Sequence, residues 1–172
     1  MGRIVSLYEM PVTERKAKEQ ALIGVALSEA SKLTKLAPTE LVVRDILPST
    51  DLGLTNEVWE ASITAANAWN DWVDVTLEDY RTVAIVGIVM LSPDPITTAI
   101  RFGIGAGPTK VIDVVQYESI LNTQEAVMGY LEKPIVFRPE SRVNIDLYGK
   151  STGTEYIVLK GVTIEPSGKV MV

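Results

Sequence analysis

The sequence predicts a mainly β fold, an antiparallel β-sandwich preceded by one α-helix, and three observations lead there. The last third, from Pro134 to Val172, reads as strand, turn, strand, turn, strand. Within it Arg142-Val143-Asn144-Ile145-Asp146-Leu147-Tyr148 alternates polar and apolar at the two-residue period of a half-buried strand. The run from Thr82 to Leu91 is apolar on both faces, the pattern of a strand in the middle of a covered sheet. Helical spacing is clear in one early stretch, after Val12. A chain of 172 residues that is 47% apolar suits one domain with a real core. Residues 1–38 form an arm and a helix that packs on the sandwich or on a neighbour, and residues 39–172 form the sandwich.

Element by element, Arg3 to Met10 reads as a short strand or extended arm, able to add a strand to a neighbour's sheet edge. A helix follows from Thr13, with Thr13 as N-cap, Glu14 in the first turn and Lys32 and Lys35 in the last, each sign suiting the helix dipole. Leu22, Val25, Ala26, Ala30 and Leu33 form its apolar stripe, Gly24 weakens it, and Pro38 stops it. Glu40 to Leu47 is a strand and Pro48 to Gly53 a loop. Glu57 to Thr64 alternates and reads as a strand, with a helix as the competing reading. Ala65 to Asp74 is irregular, a long loop or a broken helix. Thr97 to Ile104 and Lys110 to Tyr117 are strands joined across Gly103-Ile104-Gly105-Ala106-Gly107-Pro108. Ser119 to Leu131 is a short helix or a strand with an insert, and Pro134 to Phe137 re-enters the sheet. In the final stretch the apolar phase flips between Ile157/Leu159 and Val162/Ile164. That flip predicts a β-bulge near Gly161, against the alternative of a strand buried on both faces.

Composition narrows the chemistry. The net charge of −6 disfavours nucleic acid, which needs a concentrated cationic face; Arg15, Lys16 and Lys18 are the one basic cluster and read as solvated helix turns. With no cysteine, disulfide frameworks, thiolate zinc sites and cysteine nucleophiles are excluded. With no histidine, the commonest general base and the Ser-His-Asp triad go too. These absences fit a protein built to persist, and few Asn and Gln leave a thermophilic source open. No secretory signal or membrane-length apolar run is read, so the expectation is a soluble, intracellularly made protein.

No catalytic motif stands out. Gly103-x-Gly105-x-Gly107 is followed by Pro108 and a strand rather than a helix N-terminus, so it is a turn, not a phosphate cradle. The carboxylates Asp45, Asp51, Asp74, Asp79, Asp94, Asp113 and Asp146 are scattered rather than paired for glycoside hydrolysis. Asp51, Asp94 and Glu165 lie beside turn residues, where bonding to the backbone is the ordinary role, and no calcium-loop spacing appears. Trp59, Trp69, Trp72 and Tyr80 concentrate the aromatics. Trp59 reads equally as core or as part of a binding surface, whereas Trp69 and Trp72, among Asn67, Asn70 and Asp71, read as partly exposed interface anchors or a sugar platform, against the alternative that they cap the sandwich.

The stretches Glu132-Lys133-Pro134-Ile135-Val136-Phe137-Arg138-Pro139, Val143-Asn144-Ile145-Asp146-Leu147-Tyr148 and Tyr156 to Pro166 carry a resemblance. With Leu41-Val42-Val43-Arg44-Asp45 and Ile85-Val86-Gly87-Ile88 upstream, they resemble the jelly-roll cement or decoration proteins of tailed double-stranded DNA viruses over Glu40 to Val172. The N-terminal helix is not part of that pattern. The resemblance implies a jelly-roll-like sandwich and a non-enzymatic virion structural protein made in the host cytoplasm. It implies a homo-oligomer, with a trimer favoured, that clamps subunits of the major capsid protein. It implies no catalytic residue, cofactor, metal, nucleic acid or membrane. The interface candidates are Ile4, Leu7, Tyr8, Trp69, Trp72 and Tyr80. The alternative is a carbohydrate-binding sandwich using Trp69 and Trp72 as a stacking platform, and a small carboxylate enzyme ranks last.

Overall fold

The computed structural model describes residues 4–6, 11–55, 57–107, 110–116 and 128–170. Strand outweighs helix, 50% to 21%, as the patterning predicts. The elements in order are β1 (Ile4–Ser6), α1 (Val12–Thr34), a 3-10 turn at Pro38–Glu40, β2 (Leu41–Asp45) and α2 (Pro48–Leu52). Then come β3 (Glu60–Ile63), β4 (Ala68–Thr76), β5 (Thr82–Met90), β6 (Thr97–Ile104), β7 (Lys110–Gln116), β8 (Met128–Phe137), β9 (Arg142–Gly149) and β10 (Gly153–Pro166).

One sheet runs β1-β8-β5-β10-β2, with β3 paired to the other end of β10, and the second runs β4-β9-β6-β7; the pairings are antiparallel. Setting aside β1 and β3, the layers β2-β10-β5-β8 and β4-β9-β6-β7 have the eight-strand order of a jelly roll, two Greek keys folded face to face. The arm residues Ile4–Ser6 pair with Gly129–Leu131 of their own chain, so this strand covers its own sheet edge.

The main core lies between the sheets, where Ile85, Ile88, Ile100, Phe102, Phe137, Ile145 and Ile157 are wholly buried. A second apolar layer lies between α1 and the outer face of the large sheet. Leu22, Ala26 and Ala30 recur every fourth residue and meet Ala84, Val86, Tyr130, Val162 and Ile164. Two alanines at the contact let the helix approach closely. Val25, expected in this stripe, is 49% exposed; Ile23 and Leu27 flank the buried row instead. Thr13 does not cap the helix, which starts one residue earlier at Val12, with Pro11 in the cap position and no side-chain cap. Glu19 ties α1 to the sheet by accepting from the Tyr130 hydroxyl and from Lys160 Nζ at 3.2 Å. Burial and the Glu19 acceptor push the Tyr130 hydroxyl up from its ordinary value.

The structure corrects three further expectations. Pro48 to Gly53 is not a loop: Pro48 opens the short helix α2 and Gly53, at φ 67°, closes it in the left-handed region. Ala65 to Asp74 is not irregular: Ala68 onward is the nine-residue strand β4, and the register shift between Asp71 and Val73 leaves Trp72 unpaired and breaks the alternation. β9 is not half-buried, because its polar residues Asn144 and Asp146 are as enclosed as its apolar ones.

The bulge expected near Gly161 is present, and the structure adds which strand carries it. The β10–β5 register does shift at Lys160/Gly161, but the skipped residue is Val86 on β5. β5 therefore changes face, with Val83 and Ile85 in the main core before the shift and Ile88 and Met90 after it. β10 itself is one continuous strand that alternates as far as Lys160 and is buried on both faces from Val162 to Glu165. Ile157 and Leu159 enter the main core, and Val162 and Ile164 meet the helix.

Candidate functional site: the tryptophan strand and the open end of the large sheet

β4 places its two tryptophans in different surroundings. Trp69 is paired with Tyr148 on the outer face of the small sheet. Its ring meets Tyr148 edge-on at 5.4 Å, and the Arg101 guanidinium lies 4.5 Å from its centroid. Trp72, at the bulge, packs on the rim of the main core against Trp59 at 6.2 Å, and its indole N–H donates to the Glu60 carbonyl at 2.9 Å. The two rings therefore do not make one stacking platform. Beside Trp72 opens a groove of about 260 Å³ whose walls include Leu54, Val58, Glu60, Ser62 and Asp71. Asn70 is buried. Its side chain closes the β3–β4 turn by accepting from the Thr64 and Ala65 amides and donating to the Ala65 and Ala68 carbonyls.

Two carboxylate groupings stand out. On the outer face of the small sheet, Asp146 is fully buried and receives two bonds from Arg101, 2.8 and 2.5 Å, both to Oδ2. The Asn144 amide, oriented to donate, reaches both Asp146 oxygens at 2.9 and 3.1 Å. Asp71 lies directly across on β4. Burial pushes the Asp146 carboxyl up and Asp71 adds to that; Arg101 pulls it down, and the balance is above the ordinary carboxylate value.

The second grouping corrects the reading of Asp51 and Glu165 as turn residues. Arg44 forks onto Asp51 with two bonds of 2.7 Å and reaches Glu165 at 3.2 Å. Arg81 bonds Glu165 at 2.7 Å and the Thr50 carbonyl at 2.9 Å. Thr163 and the Leu47 amide complete the Asp51 shell. Two cations balance two carboxylates, and the cluster clamps α2 to β2 and β10.

The remaining interface candidates fall as follows. Ile4 is in β1, while Leu7 and Tyr8 lie outside the described residues. Tyr80 is half-buried, with Arg81 and Lys169 over its ring at 5.8 and 5.3 Å. Sequence reasoning missed a different surface. Val58, Leu91 and Tyr156 are 50%, 58% and 43% exposed, and pairing gathers them at one end of the large sheet. Tyr156 faces Glu60 of β3, two residues from Val58, and its carbonyl accepts from the Leu91 amide at 3.0 Å. Leu91 closes one continuous apolar run, Tyr156 opens another and Val58 adjoins Trp59, so no periodicity marks which of these side chains stays exposed. Among the described residues no cluster of three metal-ligating side chains occurs. No protein-family model matches the chain, no curated protein is detectably similar to it, and no solved structure matches it.

Proposed function

We propose that this chain is a non-enzymatic virion structural protein that decorates or stabilises a capsid through oligomeric contacts. The observation that carries the reading is the apolar surface of Val58, Leu91 and Tyr156 at the open end of the large sheet, beyond the stretch that α1 covers. Apolar side chains left together at the rim of a jelly roll are the material of subunit contacts. The fold is a supporting analogy, since jelly rolls serve both capsids and lectins. Light scattering after size exclusion tests the proposal. The expected result is a discrete trimer or closed ring that falls to monomer in Leu91→Lys/Tyr156→Lys with an unchanged circular dichroism spectrum. A monomer at every concentration counts against self-association.

The groove beside Trp72 favours one other reading, a carbohydrate-binding sandwich. An aromatic wall flanked by Glu60, Ser62 and Asp71 offers both a face and hydrogen-bonding groups to a sugar. In that case polysaccharide titration changes tryptophan emission in the native chain and not in Trp72→Leu. Silence against a broad polysaccharide panel removes the reading.

A further inference from the structure

The Asp71–Asp146 pair is unevenly built. Asp146 sits on β9, between β4 and β6, with no exposed surface, and is held by Arg101 and Asn144. Asp71 is exposed, lines the groove beside Trp72, and is followed by the unpaired bulge residue. Among the described residues the groups facing the pair are few. On β9, Asn144 and Tyr148 are neutral, and on β4 so is Trp69. Asp74, also on β4, is already matched by Arg142 at 2.6 Å. On β6 Arg101 is the one cation, its β7 partner is the apolar Val114, and on the groove side Glu60 of β3 adds another negative charge. Two carboxylates against one guanidinium leave an unbalanced negative charge beside the buried Asp146, which a single proton removes.

We propose that Asp71 and Asp146 share one proton and form a latch that holds β4 to the middle of the small sheet. When that proton leaves, Asp71 swings into the groove beside Trp72. Asp146 cannot yield, because its strand is paired on both sides; Asp71 can, because it is already at the surface and the bulge loosens the ladder next to it. The raised titration of Asp146 agrees with this arrangement. Because that carboxyl is raised in the folded chain, its contribution to stability is full below the unfolded value and is lost as pH rises through the folded one.

Carboxyl carbon NMR and tryptophan emission, followed against pH on the full chain, test the latch. The expected result is an Asp146 resonance that titrates above the ordinary carboxylate range, with an emission change at the same midpoint. Asp71→Asn lowers that midpoint by about one pH unit and abolishes the emission change. Asp74→Asn, a second surface carboxylate on the same strand, leaves both in place. Circular dichroism confirms that both variants are folded. An Asp146 midpoint at or below the ordinary value, or one unmoved in Asp71→Asn, overturns proton sharing. Emission that ignores the Asp146 titration overturns the movement.

Discussion

Asp51→Ala is expected to lower the unfolding free energy by about 3–5 kcal/mol, the cost of stranding buried charge. Asp51 has no exposed surface, and Arg81, 3.5 Å from it, is 7% exposed. Removing the carboxylate leaves Arg44 and Arg81 sharing Glu165, with the Leu47 amide and Thr163 hydroxyl losing their acceptor. Urea unfolding followed by circular dichroism measures the loss as a lower midpoint. A midpoint within error of the native chain would show that the cluster is not formed as described. The cluster also sets an acid limit. Burial pushes the Asp51 carboxyl up, but the Arg44 fork, the Leu47 amide and Thr163 outweigh it and hold it below its ordinary value. A carboxyl depressed in the folded state contributes stability that is full above its unfolded value and is lost as pH falls through its folded one. Asp51 therefore weakens the fold as pH falls below its ordinary value, whereas Asp146, raised by burial, acts with the opposite sign as pH rises.

That cluster shows where reading a sequence stops. Asp51 and Glu165 both stand next to turn residues, and nothing local marks either as buried. Their partnership depends on β10 returning beside β2, a contact between residues more than a hundred positions apart. The elements that were legible are those whose period is unbroken: β6 keeps Ile100 and Phe102 on the core face, and α1 keeps Leu22, Ala26 and Ala30 on one side. β4 was not legible because the unpaired Trp72 interrupts the alternation and Asn70, a polar residue, occupies a core-facing position. The candidate site divides the same way. The tryptophan stretch was marked by composition, but the separation of Trp69 from Trp72, and the meeting of Leu91 with Tyr156, are products of register.

The irregularity near Gly161 was visible in the sequence, yet the residue that shifts the register there lies in the partner strand, and this gives a second large expected effect. A β-carbon on Gly161 would stand 2.2 Å from the Ala84 carbonyl oxygen and 2.7 Å from Ile46 Cδ1. The first of these is backbone in the central strand β5, beside its bulge, and cannot rotate away. Gly161→Ala is therefore expected to cost about 3 kcal/mol, near the upper end for overpacking. The same substitution at Gly24 has the opposite sign. That residue lies inside α1 with nothing within 4 Å of an added β-carbon, so Gly24→Ala is expected to gain about 1 kcal/mol from helix propensity and the lost freedom of the unfolded chain. Thermal and urea unfolding of the two variants side by side separate backbone freedom from space. If Gly161→Ala proved as harmless as Gly24→Ala, β10 would not lie against β5 in this register. The face change that lets one strand serve both the inter-sheet core and the helix would then need another origin.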